Sequence, residues 1–155
     1  MPGHLRAVDD QAPDGVPRFR PIRVVLADDH APLRRTLRRL LEGEKDVKVV
    51  AEASDLDSAI CQLRAHRPRV LVLDPRMADG SSAERIGRLR EQSPRTEIVV
   101  ITMHDNEMFA DQALKAGAIG FVLKDRADLE LADAIRRASR GLEYRSPRVR
   151  RRYSD

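Results

Sequence analysis

VVLADDH, residues 24–30, runs through four apolar residues and stops on two adjacent aspartates. The apolar part is too short for a buried helix and reads as a strand covered on both faces. Starting from IRVVLA (22–27), the same pattern returns as VKVVA (47–51), RVLVL (69–73), EIVVIT (97–102) and IGFVLK (119–124). Helical segments with legible ends lie between these runs. Pro32 suits the first turn of APLRRTLRRLLE (31–42), whose Leu33, Leu37, Leu40 and Leu41 share one face before Gly43. Ser54 with Asp57 approximates a capping box for the next helix, which must stop before Pro68; Ser81 with Glu84 repeats the device for SAERIGRLREQ (82–92). A fourth helix near 106–116 ends at Gly117, and a fifth near 127–140 ends at Gly141. Strand and helix alternate five times. That order means parallel strands, right-handed crossovers and helices on both sides of one sheet: a doubly wound α/β domain.

The chain of 155 residues suits one such domain, placed at residues 22–141. Residues 1–21, with prolines at 2, 13, 17 and 21 and no periodicity, read as a flexible leader. Residues 142–155 read as a basic linker or tail, since RSPRVRRRYSD carries five arginines against one aspartate. The domain itself is nearly balanced, with 21 basic and 20 acidic residues, so the net charge of +4 says little about its partners. Cys61 is the sole cysteine. It excludes an intramolecular disulfide or a cysteine-rich metal site, fits a reducing cytoplasm, and is expected as a packed thiol in an apolar-periodic helix. No apolar run approaches a membrane span.

In a parallel sheet all strand C-termini emerge at one edge, where open α/β folds bind ligands. The first run ends on Asp28 and Asp29, the third on Asp74, the fourth on Thr102 and the fifth on Lys124. Each has a plain reading alone: an aspartate after a strand is a common turn former, a threonine suits a strand, and a lysine suits a solvated rim. His30, His66 and His104 have no metal-ligand spacing and read as loop or helix-end residues. Together the five residues supply complementary chemistry. Three clustered carboxylates repel one another and call for a cation, and an all-oxygen set suits Mg²⁺. Asp74, central in the sheet, can act as a nucleophile toward phosphorus. Lys124 would ion-pair with a phosphoryl oxygen, and Thr102 would donate a hydrogen bond to another.

The order Asp-Asp, Asp, Thr, Lys at the ends of strands one, three, four and five resembles the receiver domain of bacterial two-component response regulators. DPRMADGSS, VVITMHD, AGAIGFVLKD and AIRRASRGLEYRSP are similar to the NarL/LuxR class in particular. The resemblance implies a flavodoxin-like (CheY-like) five-stranded parallel sheet of order 2-1-3-4-5 with five helices. It implies that Asp74 accepts a phosphoryl group from a sensor histidine kinase. Asp29 and Asp74 would hold Mg²⁺ directly with the backbone carbonyl of Arg76, and Asp28 largely through water. Thr102 and Lys124 would contact the phosphoryl group, Phe121 would be the aromatic that reorients, and Arg76, Met103 and His104 would tune access and rate. The implied protein is a switch for transcription regulation, not a turnover enzyme, and a homodimer is among its candidate partners. DNA would be reached through a helix-turn-helix effector domain. The fourteen residues after Gly141 are too few for that domain, which needs roughly four times as many.

The chain departs from the family at three places near the acceptor. Ala78 stands where a proline is common, Ser82 replaces a glycine, and Pro75 directly follows Asp74. A freer loop at Ala78 is expected to weaken magnesium binding. The alternatives are a stand-alone receiver acting through protein partners, a module signalling without phosphorylation, and an aspartyl-nucleophile phosphohydrolase. The last normally carries its nucleophile on the first strand in an Asp-x-Asp pattern, whereas here the acid pair comes first and the single aspartate third. Met108 and Phe109 are adjacent in the fourth helix, so one of them is expected at the surface.

Overall fold

The computed structural model describes residues 20–77 and 82–149. The parallel strands are β1 (Ile22–Ala27), β2 (Val47–Ala53), β3 (Val70–Leu73), β4 (Glu97–Thr102), β5 (Gly120–Leu123) and β6 (Tyr144–Arg145). They are joined through α1 (Ala31–Glu42), α2 (Leu56–His66), α3 (Ser82–Gln92), α4 (Glu107–Ala116) and α5 (Ala127–Ser139). The strand order is β2-β1-β3-β4-β5-β6. The expected order 2-1-3-4-5 and the five helices are present, and the sheet has a sixth strand where five were expected. That strand comes from the stretch read as a linker. Two residues without an apolar run carry no period-two signal, so only the crossover geometry of α5 places Tyr144 beside Gly120.

Strand alternation divides the core into two layers. Val25, Leu71, Leu73, Ile98, Val100, Phe121 and Leu123 face α2, α3 and α4, meeting Ile60, Leu63, Ile86, Leu89 and Ala110. Val24, Leu26, Val70, Val72, Ile101 and Val122 face α1 and α5, meeting Leu37, Leu41, Leu131 and Ile135. Each such side chain contributes roughly 1.5–3 kcal/mol when fully buried. This explains why β1, β3 and β4 tolerate almost no polar residue between their ends. Gly120 fits for another reason: a Cβ there would meet Val99 Cγ2 at 3.0 Å, so that side chain would have to give way.

The helix ends differ in detail from the sequence reading. The cap of α2 is Asp55, not Ser54. Its carboxylate accepts the Ser58 N–H at 2.7 Å, and the Ser58 hydroxyl accepts the Asp55 N–H in return. The same reciprocal box, shifted by one residue with the acid as cap and the serine as its partner, satisfies the orphan donors. That helix closes on Arg67 in the left-handed region (φ 44°), directly before Pro68. Cys61 is exposed rather than packed, because Ala59, Ile60 and Leu63 form the buried face of α2. Ala78 and Ser81 lie outside the described residues, as do residues 1–19 and 150–155. Among the described residues no helix is long and apolar enough to cross a membrane.

Candidate functional site

Register places the strand ends level with one another. Ala27 pairs with Leu73 and Thr102 with Leu123, so the residues that follow β1, β3 and β5 share one rim with Thr102. Three of these ends use one local device. The Asp28 carboxylate accepts the His30 N–H at 2.8 Å, Asp74 accepts the Arg76 N–H at 2.9 Å, and Thr102 Oγ1 accepts the His104 N–H at 3.2 Å. A side-chain oxygen that bonds its own backbone two residues on fixes the chain as it leaves a strand. The turn-former reading therefore holds for both aspartates. It uses only one carboxylate oxygen of each and leaves the second free to face the crevice.

Those second oxygens converge. Lys124 Nζ lies 2.9 Å from Asp74 Oδ2 and 3.1 Å from Asp28 Oδ2. Carboxylate oxygens of Asp28, Asp29 and Asp74 lie within 4.8 Å of one another. Asp28 and Asp74 are buried, whereas Asp29 is exposed. Burial works against the Lys124 charge, but its hydrogen bond to Asp74 and the negative charges of Asp74 and then Asp28 outweigh that and hold the ammonium above the ordinary lysine value. One cation is thus shared between two of the three acids. Asp28 Oδ2 is buried without a hydrogen-bond partner, the ammonium approaching it as an ion pair only. A buried carboxylate oxygen left so, beside two further carboxylates, fits a small hard cation that prefers oxygen ligands.

Thr102 is buried at the end of β4, and Phe121 is fully buried in β5 with its ring edge-on to Phe109 at 5.8 Å. Phe109 in turn meets the His104 ring edge-on at 6.5 Å. The Arg76 guanidinium donates to His104 Nε2, so two residues carried on different loops close together beside the carboxylates. With Ser82, Asn106 and Phe109 they line a pocket of about 310 Å³. Met103 and Met108 point outward and are exposed. Of Met108 and Phe109, the first is therefore the surface residue and the second packs inward.

Two features escaped the sequence reading. Arg85 on α3 is buried and donates to the carbonyl of Pro75, tying the helix to the loop after Asp74. Glu130 on α5 is also buried and accepts bonds from Tyr144, Ser146 and Arg126. Nothing in SAERIGRLREQ or ADLELADAIRRAS marks one charged residue among several as the buried one. Only helix rotation against the sheet decides it.

The fold and this rim define a receiver. The model of the response regulator receiver domain family matches residues 24–136, and the chain belongs to that family, whose members are phospho-switches rather than turnover enzymes. The oxygen regulatory protein NreC of Staphylococcus epidermidis is 37% identical over 124 residues, 79% of this chain and 57% of NreC. The probable transcriptional regulatory protein NarL of Mycobacterium tuberculosis is 34% identical over 131 residues, 84% of this chain and 61% of that protein. The chain thus spans little more than half the length of these relatives. A two-component response regulator of the LuxR family from Aurantimonas sp. SI85-9A1 superposes with a TM-score of 0.78 at 33% identity, over 83% of this chain and 92% of that one. The acidic cluster is of the kind that serves as the Mg²⁺ site of a receiver.

Proposed function

We propose that this chain is the phosphoacceptor module of a two-component system, with Asp74 as the residue that takes the phosphoryl group from a cytoplasmic sensor histidine kinase. A carboxylate oxygen of Asp74 attacks phosphorus, the bond from phosphorus to the kinase imidazole breaks, and an acyl phosphate forms on the receiver. The observation that carries this reading is the Lys124 ammonium held at hydrogen-bond distance from Asp74 on a rim crowded with acid. As the carboxylate becomes an acyl phosphate, its charge passes to phosphoryl oxygens, and Lys124 is already placed to follow them. Thr102 turns its hydroxyl from the His104 N–H toward the same group, and Phe121 beneath it is the aromatic that responds.

Asp28, Asp29 and Asp74, with the Arg76 carbonyl, would hold Mg²⁺. The ion would neutralise charge on the transferring group. Arg76 and His104 close over the rim, and with exposed Met103 they set how easily a donor or water reaches Asp74. Two relatives are named as regulators of oxygen response or transcription. Control of transcription through a DNA-binding domain is accordingly the proposed output.

The test is incubation with Mg²⁺ and a small phosphodonor, followed by intact mass, comparing wild type with Asp74→Asn. One phosphoryl adduct on wild type and none on the variant is expected. An adduct on both would misplace the acceptor. Continuing hydrolysis of the donor beyond one equivalent, at a rate set by enzyme rather than adduct lifetime, would favour a phosphohydrolase instead.

A further inference from the structure

Residues 144–149 bind three elements at once. The Tyr144 and Ser146 N–H groups donate to Ile119 and Phe121 carbonyls at 3.0 and 2.9 Å, adding β6 to the edge of β5. Arg145 pairs with Asp111 of α4 at 2.9 Å, and Val149 is buried in the same apolar layer as Phe121, Ala110 and Ala113. On the other side Glu130 of α5 collects the segment. Its Oε1 accepts the Ser146 hydroxyl at 2.6 Å and the Tyr144 hydroxyl at 2.9 Å, while Oε2 accepts Arg126 Nε at 3.2 Å. The Ser146 oxygen also accepts the Leu123 N–H at 3.1 Å.

Protecting the edge of β5 would explain a sixth strand. It does not explain a buried carboxylate at its centre, which is unfavourable unless its donors satisfy it fully. The bonds lead toward the acidic rim. Leu123, whose N–H holds Ser146, directly precedes Lys124, and Lys124 binds Asp74 and Asp28. Phe121, whose carbonyl holds the Ser146 N–H, is the buried aromatic of the site.

We infer that residues 144–149 form a latch, caught by Glu130, which opens when Asp74 carries a phosphoryl group. This rests on the acceptor reading above. Acyl phosphate formation moves the negative oxygens outward across two phosphorus–oxygen bonds, and Lys124 follows them. The backbone of Lys124 is continuous with Leu123, so the Leu123–Ser146 bond is pulled first. Once Ser146 moves, Glu130 loses one of its donors, and a partly satisfied buried network is less stable than its separate bonds suggest. Release is therefore cooperative, and by linkage a protein without the catch should favour the phosphorylated state. Anything attached beyond residue 149 is tethered through this segment.

Hydrogen exchange read by mass spectrometry tests the latch on the whole chain, with intact mass of the same samples reporting phosphorylation. Peptides covering 144–149 should exchange at least about tenfold faster when Asp74 is phosphorylated, while β3 stays protected. Glu130→Ala should give the same local acceleration without any donor, and Ser146→Ala serves if that variant fails to fold. Full phosphorylation with unchanged or slower exchange at 144–149 would overturn the latch alone. Glu130→Ala and Ser146→Ala proteins that both keep the segment protected would remove the catch. Absence of phosphate on Asp74 would bring down the acceptor reading, and the phosphate-driven switch with it.

Discussion

The two rims of the sheet handle charge in opposite ways. At the rim where strands begin, arginines meet the carbonyl ends of helices and loops. Arg23 donates to the His66 carbonyl at 2.6 Å, Arg69 to those of Ser139 and Arg95 at 2.9 and 2.7 Å, and Arg90 to that of Thr96 at 2.9 Å. Arg23 and Arg69 find acceptors at the negative ends of α2 and α5, as the helix dipole favours. Arg69 and Arg90 also reach carbonyls of the loop between α3 and β4. At the rim where strands end, three carboxylates cluster around one ammonium that pairs with only Asp28 and Asp74, and Asp28 Oδ2 has no hydrogen bond. One rim is electrostatically finished by the fold, and the other is left for a ligand to finish. Hollow volume points the wrong way: pockets of about 540 and 630 Å³ lie at the finished rim, against about 310 Å³ beside the carboxylates. Unbalanced charge marks the site better than space does.

The largest effect that would sharpen this contrast belongs to Asp29, the exposed member of the acid set. Asp29→Asn should weaken Mg²⁺ binding by about a hundredfold, as loss of a coordinating charge does at least as much harm as loss of a supporting one. Without the ion, the same substitution should leave the protein as stable or slightly more so, because it removes like charge. Mg²⁺ titration and thermal unfolding, each done on both proteins, check the pair of outcomes. A variant that binds Mg²⁺ normally, or that is clearly destabilised without it, would mean the acid rim is not waiting for a cation.

Arg69→Ala breaks the other side of the comparison. It strips the Ser139 and Arg95 carbonyls of a charged donor, and such losses run to about 1–3 kcal/mol. Chemical denaturation should show that destabilisation, while phosphorylation stoichiometry and Mg²⁺ affinity stay at wild-type levels. If affinity fell instead, the rims would be coupled and not separable.

Much of this contrast was legible in the sequence at one rim and hidden at the other. Asp28, Asp29, Asp74, Thr102 and Lys124 follow directly from where apolar runs stop, because a parallel sheet brings all those stops together. The doubly wound order follows from alternation for the same reason. The Arg23 and Arg69 contacts at the opposite rim depend on long side chains reaching carbonyls 26 to 70 residues away, which no local period encodes. The capping of α2 was misread by one residue because Ser54 and Asp55 are both competent caps and only backbone geometry chooses. Cys61 was misplaced because its helix rotates Ala59, Ile60 and Leu63 inward. β6 was missed because Tyr144–Arg145 is too short to show alternation, and its Glu130 catch because burial of one acid in a charged helix is a tertiary fact.

The smallest predicted effect separates the two rims by alkaline titration. Burial opposes the Lys124 charge, but Asp74 and Asp28 more than compensate, so its folded value lies above the ordinary 10.5. A raised folded value means that the stability contributed by the ammonium is complete below about 10.5 and is lost as pH rises through the higher value. Tyr144 interferes, since burial and its bond to Glu130 push it up to about 12, and it too loses stability as pH climbs from 10.0. Tyr144→Phe removes that contribution. In a Tyr144→Phe background, unfolding free energy followed by denaturant should still fall with pH above 10.5, and adding Lys124→Met should flatten the decline. Equal slopes with and without Lys124 would mean that its ammonium is no better stabilised on the folded rim than in the unfolded chain, and the shared-cation description of that rim would have to be abandoned.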